Sequence, residues 1–114
     1  MWRKSRLRRR SDFLRLRAQG RTTQHSLMHM NVLENDIGQN RSGFITSKRL
    51  GKAVARNRVR RLLREAVRHH HLQLLQGYDV ILIARAKLVG LSYADVLRHT
   101  ARLFEQAGLL KRDF

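Results

Sequence analysis

Residues 43–68 read GFITSKRLGKAVARNRVRRLLREAVR, and this stretch decides the fold. It opens on a short apolar segment, Phe44-Ile45-Thr46, and breaks into a polar connection from Ser47 to Lys52. A helix follows from about Ala53 to His70. Val59, Leu62, Leu63, Ala66 and Val67 recur at the i, i+3, i+4, i+7, i+8 spacing of one apolar stripe, which suits packing on a sheet. At about 100° per residue, Arg60, Arg64, Asn57, Arg68 and Arg61 spread around the opposite side. Arg61 and Glu65 stand at i, i+4 and are expected to pair. Most of the positive charge is left unneutralised. Arg56, in the first turn, projects near the stripe and is expected to reach past the sheet edge, since a buried unpaired charge is costly.

Working outward toward the C-terminus, residues 73–77 form a connection. Tyr78 to Ala84 is a continuous apolar run, the pattern of a central strand covered on both faces. Ser92 and Asp95 have capping-box spacing. They predict a last helix to Ala107, with Leu97, Ala101 and Phe104 on one face and Gly108 as its stop. Toward the N-terminus, Ser26 to Leu33 alternates like a strand, with Met28, Met30 and Val32 on the core side. The polar run from Glu34 to Asn40 is a turn. It predicts an antiparallel hairpin with a strand at 41–47. Ser11 to Gly20 reads as a short helix, capped by Ser11 or Asp12 and stopped by Gly20 in a left-handed conformation. Phe13 and Leu16 share one of its faces. A short extra strand near Arg21-Thr22-Thr23 completes the pattern. The reading is an α/β (α+β) two-layer sandwich, in the order α-β-β-(β)-α-β-α. Residues 1–10 are a basic arm, 11–108 a single domain and 109–114 a short tail.

Charge points to the partner. The 114 residues carry 25 Lys and Arg against 8 Asp and Glu, a net +17, yet 42% are hydrophobic. That apolar content supports a folded domain, and self-repulsion on this scale favours a polyanionic partner. Apolar runs such as Val80 to Ala84 are far too short to span a bilayer. The opening MWRKSRLRRR has no apolar segment after its charges, so it does not read as a secretory signal. Cysteine is absent, which excludes disulfides and thiolate metal sites; a cytoplasmic location fits. Arg outnumbers Lys and suits bidentate phosphate contacts. Nucleic acid is therefore the expected partner.

A nuclease site in the protein would need clustered carboxylates or paired histidines. The acids are Asp12, Glu34, Asp36, Glu65, Asp79, Asp95, Glu105 and Asp113, and they are scattered along the chain with local work as caps, turns or partners of Arg. No catalytic or metal-ligating set is expected. His69-His70-His71 splay over about 200° on a helix and do not converge on one ion. A role at the helix dipole or on phosphate is simpler. His25, His29 and His99 read as isolated surface or edge residues. Gly51-Lys52 lacks the pattern of a nucleotide-binding loop. The helix start, with Ser47, Lys48, Arg49 and Lys52 around it, still suits an anion.

The run SKRLGKAVARNRVRRLLRE resembles the signature of the bacterial ribonuclease P protein component. The likeness rests on Ser47, Lys48, Gly51, Ala53, Val54, Arg56-Asn57-Arg58, Arg60-Arg61 and Arg64-Glu65. It extends to Asp12-Phe13, Gly20, Gly43 and 79–85. The resemblance implies the small subunit of a ribonucleoprotein that removes the 5′ leader of precursor tRNA. It places hydrolysis on the RNA subunit. Magnesium is then required by the RNA-containing holoenzyme, with no cofactor bound by the protein alone. The implied partners are the ribonuclease P RNA and the precursor leader, with no membrane and no further protein needed. Carried over by position, Arg56, Asn57, Arg58, Arg60 and Arg61 face the RNA, with Lys48, Arg49 and Lys52 near it. The helical count adds Arg64 and Arg68. Phe13 matches an aromatic of the leader cleft. Positions where relatives carry further aromatics hold Arg17 and Asn31 here, so this cleft is expected to lean on charge and hydrogen bonding. The resemblance also implies a left-handed βαβ crossover, against the general preference. The alternative reading is a structural ribosomal-type RNA-binding protein.

Overall fold

The computed structural model describes Leu7 and residues 9–111. The remainder of the expected basic arm (1–6 and 8) and residues 112–114 lie outside the described residues. The elements are α1 (Arg10–Gln19), β1 (Arg21–Gln24), β2 (Met28–Glu34), β3 (Arg41–Ile45), α2 (Ala53–His70), β4 (Tyr78–Ala84) and α3 (Tyr93–Gln106). A 3-10 turn at Lys48–Leu50 leads into α2.

The sheet order is β1-β2-β4-β3. The expected hairpin between β2 and β3 does not form. Instead β4 lies between them, antiparallel to β2 (Asn31 opposite Ile81) and parallel to β3 (Gly43 opposite Ile81). The apolar run of β4 explains the exchange: the central place lets it fill both ladders and bury both faces. The turn signal before β3 is real but serves another purpose. Residues 35–40 cross the start of β4, a step of about 10 Å between alternate strands that this length covers easily. Asn40, 8% exposed, anchors the crossing. Its Nδ2 donates to the Leu75 carbonyl at 2.8 Å, and its Oδ1 accepts from the Tyr78 amide at 2.8 Å. The hairpin partner of β2 is β1, the short strand at residue 21.

Alternation divides β4 between two clusters. Val80, Leu82 and Ala84 join Met28, Met30 and Val32 beneath α2 and α3. Ile81 faces the other way and packs with Leu16 of α1 and Leu7. The two helices α2 and α3 therefore make one layer, the sheet a second, and α1 a partial third. The Met/Met/Val side of β2 and the α2 stripe are core, as the spacing predicts, with Leu62 only partly buried. In α3 the buried positions are Val96, Thr100, Leu103 and Phe104. Of the expected stripe, Phe104 is core and Leu97 packs against it, and the buried face widens to include Thr100, whose hydroxyl donates to the Val96 carbonyl at 2.6 Å. The Ser92 cap forms as expected, with Asp95 N donating to Ser92 Oγ at 3.2 Å, and Gly108 takes a left-handed φ of 74° at the other end.

Several local expectations are corrected. The N-cap of α1 is Arg9 with no side-chain bond, since Asp12 turns toward Arg15 and Arg41. Gly20 is extended (φ −76°), not left-handed. Its hydrogen is needed for close approach: a Cβ there would stand 2.5 Å from the Leu16 carbonyl oxygen and 2.9 Å from that of Val32. Both obstacles are backbone, so Gly20→Ala is expected to cost about 1–3 kcal/mol, read as a lower urea midpoint. An unchanged midpoint would show that α1 can lift off the sheet without loss. Glu65 pairs with Arg68 at 3.9 Å rather than with Arg61. Leu109 and Leu110 belong to the fold, not to a tail: Leu109 is 1% exposed and Leu110 bridges to Leu74. Leu7, read as part of the arm, is 5% exposed and its amide donates to the Ser42 carbonyl at 2.8 Å.

Candidate nucleic-acid interface

One side of α2 and the turn before it present a basic face. Lys48, Arg49, Lys52, Asn57, Arg58, Arg61 and Arg68 are exposed; Arg56, Arg60 and Arg64 are half-buried. The N-cap is Lys52, with no side-chain bond to the free amides and no acid in the first turn. Those amides and the helix dipole add positive potential where the cations already gather. Arg58 Nη2 donates to the Leu91 carbonyl at 3.3 Å, which steadies it beside α3. Arg60 is held from two sides, by Asn57 Oδ1 at 3.1 Å and Thr46 Oγ1 at 2.6 Å. The histidine tract divides as the helical splay requires. His69 and His71 are exposed, while His70 is 7% exposed with Nε2 3.3 Å from the Leu97 carbonyl oxygen and its ring edge-on to Phe104. His70 is thus a packing residue.

On the sheet face opposite α2 and α3, α1 covers only part of the surface. Phe13, Leu33, Ile45 and Ile83 are partly buried and pack against the cluster of Leu7, Leu16 and Ile81. Its ring lies over Gly43: a Cβ on Gly43 would stand 2.9 Å from Phe13 Cζ. Arg17, one turn along α1, is exposed. Asn31 is not open as expected. It is 5% exposed and its Oδ1 accepts from Thr22 Oγ1 at 2.9 Å, so it is part of the floor. The next row by register is His29 beside Ile83 and Ile45, all partly exposed, with Gln24 exposed at the edge. Strand alternation carried this signal: His29 falls on the side away from the methionines. Read singly, it looked like an isolated surface residue.

The position of α1 beside this row depends on one acid that the sequence reading left among the scattered carboxylates. Asp79, the second residue of β4, is fully buried. Arg41 donates to both its oxygens, at 2.9 and 2.7 Å, Asn35 Nδ2 donates at 2.9 Å, and Arg15 of α1 donates at 2.5 Å. Burial pushes the Asp79 carboxyl up, but the bonds from Arg41, Asn35 and Arg15 outweigh it and hold the group below its ordinary value. Reciprocally, the hydrogen bond to Asp79 raises Arg41 against its own burial. Asp12, 3.7 Å from Arg41, adds a second carboxylate to the two guanidinium groups. The signal in the sequence was a lone acid at the head of an apolar strand. Its partners, at 15, 35 and 41, come from three other segments.

Among the described residues no group of three or more His, Asp or Glu is placed to hold a metal ion. No helix there is long and apolar enough to cross a membrane.

A family model described as Ribonuclease P matches residues 1–108. The ribonuclease P protein component of Symbiobacterium thermophilum is 39% identical over 109 residues, covering 95% of each chain. That of a Roseiflexus species is 38% identical over 112 residues, covering 97% of this chain and 92% of the relative. Among solved structures, the RNase P protein of Staphylococcus aureus superposes with a TM-score of 0.87 at 26% identity, covering 94% of this chain and 98% of that one. The Thermotoga maritima RNase P protein gives 0.82 at 28% identity, over 89% and 96%.

Proposed function

The chain belongs to the ribonuclease P protein family, and from this premise we propose how it serves as the protein subunit in maturation of the tRNA 5′ end. It binds the ribonuclease P RNA through the basic face of α2, with Lys48, Arg49, Lys52, Asn57, Arg58, Arg61, Arg64 and Arg68 toward the RNA and Arg56 and Arg60 at its margin. It holds the 5′ leader of the precursor on the sheet face beside α1, against Phe13 and Arg17, with His29 and Ile83 as open floor. The RNA subunit, with magnesium, performs the hydrolysis. This chain contributes charge and shape: Asp12, Glu65, Asp79 and Asp95 are engaged in ion pairs with Arg. The assembly works in the cytoplasm, where precursor tRNA is made.

One observation carries the reading. The acid-free, uncapped start of α2 is joined to β3 by the short basic connection at residues 46–52, and the opposite side of β3, at Gly43 and Ile45, floors the cleft under Phe13. A single strand thus joins two surfaces suited to two RNA segments. Reconstitution tests it. At low magnesium, the protein is expected to raise cleavage of a precursor tRNA by a bacterial ribonuclease P RNA. No gain on leader-bearing substrate would favour the structural ribosomal-type reading. Cleavage by the protein without RNA would place an active site in the chain.

The cleft has its own test. Phe13→Ala removes the ring, and Gly43→Ala pushes it aside. Each is expected to weaken binding of leader-bearing precursor about tenfold, within the range for one base–aromatic stack, and to leave leaderless tRNA unaffected. Equal loss on both substrates would make Phe13 a packing residue.

A further inference from the structure

The guanidinium of Arg60, on the α2 face, is engaged from two sides within the protein. Nη1 donates to Asn57 Oδ1 at 3.1 Å, one turn earlier on the helix. Nη2 donates to Thr46 Oγ1 at 2.6 Å, just past the end of β3. A guanidinium has donors only, so the atom of the Asn57 carboxamide that faces it must be the oxygen. The Asn57 NH2 is then turned away from Arg60, on an exposed residue at the centre of the basic face. Thr46 is the fixed end of this hydrogen-bonded chain: it follows Ile45, whose side chain belongs to the opposite face of the sheet.

We propose that Arg60 is a positioning residue rather than a phosphate ligand: anchored on Thr46, it orients the Asn57 carboxamide so that its NH2 is presented as a donor to an acceptor atom of the RNA. The proposal rests on the reading of α2 as the RNA-binding face and assigns a division of labour within it. Exposed cations such as Arg61 supply charge. Asn57, held by Arg60, supplies a directed hydrogen bond. The Arg60–Thr46 bond also ties α2 to the strand that floors the cleft.

Salt dependence separates these roles. A cation that neutralises one phosphate contributes about 0.7–0.9 to the slope of log affinity against log salt, and its removal lowers the slope by that amount. Affinity for a bacterial ribonuclease P RNA is measured across salt for the wild type, Arg61→Gln, Arg60→Gln, Thr46→Val and Thr46→Ser, with thermal midpoints alongside. Arg61→Gln is expected to show the full drop in slope. Arg60→Gln and Thr46→Val are expected to weaken binding by about three- to tenfold, the range of one neutral hydrogen bond, with the slope kept. Their effects should not add in the double variant, and Thr46→Ser, which keeps the hydroxyl, should restore binding. A merely structural role would lower the midpoint without non-additive coupling in RNA affinity. A slope drop for Arg60→Gln equal to that of Arg61→Gln, with Thr46→Val silent, overturns the proposal while leaving the RNA-binding face intact. Absence of salt-dependent binding by the wild type would instead remove the underlying reading. Should Arg60→Gln fail to fold, the contrast of Thr46→Val with Thr46→Ser decides the same point.

Discussion

Asp79→Ala is expected to destabilise the protein by about 3 kcal/mol, seen as a lower urea midpoint at fixed ionic strength. Removing one member of a buried ion pair costs about 3–5 kcal/mol, because the partner charges stay behind without compensation. Here the carboxylate is fully buried, while the Arg15 and Arg41 side chains keep 33% and 22% of their exposure, which places the effect at the low end. The loss is specific in its location. Arg15 belongs to α1, so the helix carrying Phe13 and Arg17 loses its polar tether to the sheet. Binding of a precursor leader is expected to weaken together with stability. A variant as stable as the wild type would mean that packing of Leu16 and Leu7 alone seats α1.

The same network sets a pH dependence. The Asp79 carboxyl is held below its ordinary value in the folded state, by hydrogen bonds that outweigh burial. Its stabilisation is therefore complete above the ordinary aspartate value of about 3.9. It is lost as pH falls from there toward the lowered folded value. In urea titrations across this acidic window, the wild-type midpoint is expected to fall more steeply than that of Asp79→Asn, which has no proton to gain. Parallel curves for the two would show that other carboxylates govern acid unfolding.

The second large effect concerns the RNA. Replacing Arg58, Arg61 and Arg68 together by Gln is expected to reduce the salt slope of RNA binding by about 2–3 units if each meets a phosphate. At low salt this amounts to a loss of orders of magnitude in affinity. Stability should hardly change, since all three side chains are exposed and surface substitutions of this kind usually stay within about 0.5 kcal/mol. The weak 3.9 Å ion pair of Arg68 with Glu65 does not alter that expectation. A slope equal to that of the wild type would place the RNA on another surface.

The legibility of this fold followed the range of its interactions. The span of α2 was readable because its stripe repeats every turn within one segment, and the Ser92 cap because donor and acceptor are three residues apart. The α3 stripe was legible only in part, because Thr100 satisfies its own hydroxyl on Val96, which makes a polar residue a good core residue beside Phe104 and Leu97. Gly20 and Gly43 were visible as glycines. Part of the reason for Gly20, the Val32 carbonyl, and the reason for Gly43, the ring of Phe13, come from distant segments.

By itself, then, the sequence determined the basic face of α2, the apolar strand β4, the side of β2 that enters the core and the family to which the chain is similar. These depend on period, charge and spacing, which are local properties of the chain. Only the tertiary structure decided that β4 separates β2 from β3, that Asp79 gathers Arg15, Arg41 and Asn35, and that Arg60 is spent on Thr46 and Asn57. Strand pairing and buried ion pairs are choices among partners far apart in sequence. The periodicity of each segment is compatible with several such choices. Burying β4 on both faces, together with the need to give every buried charge a partner, selects among them.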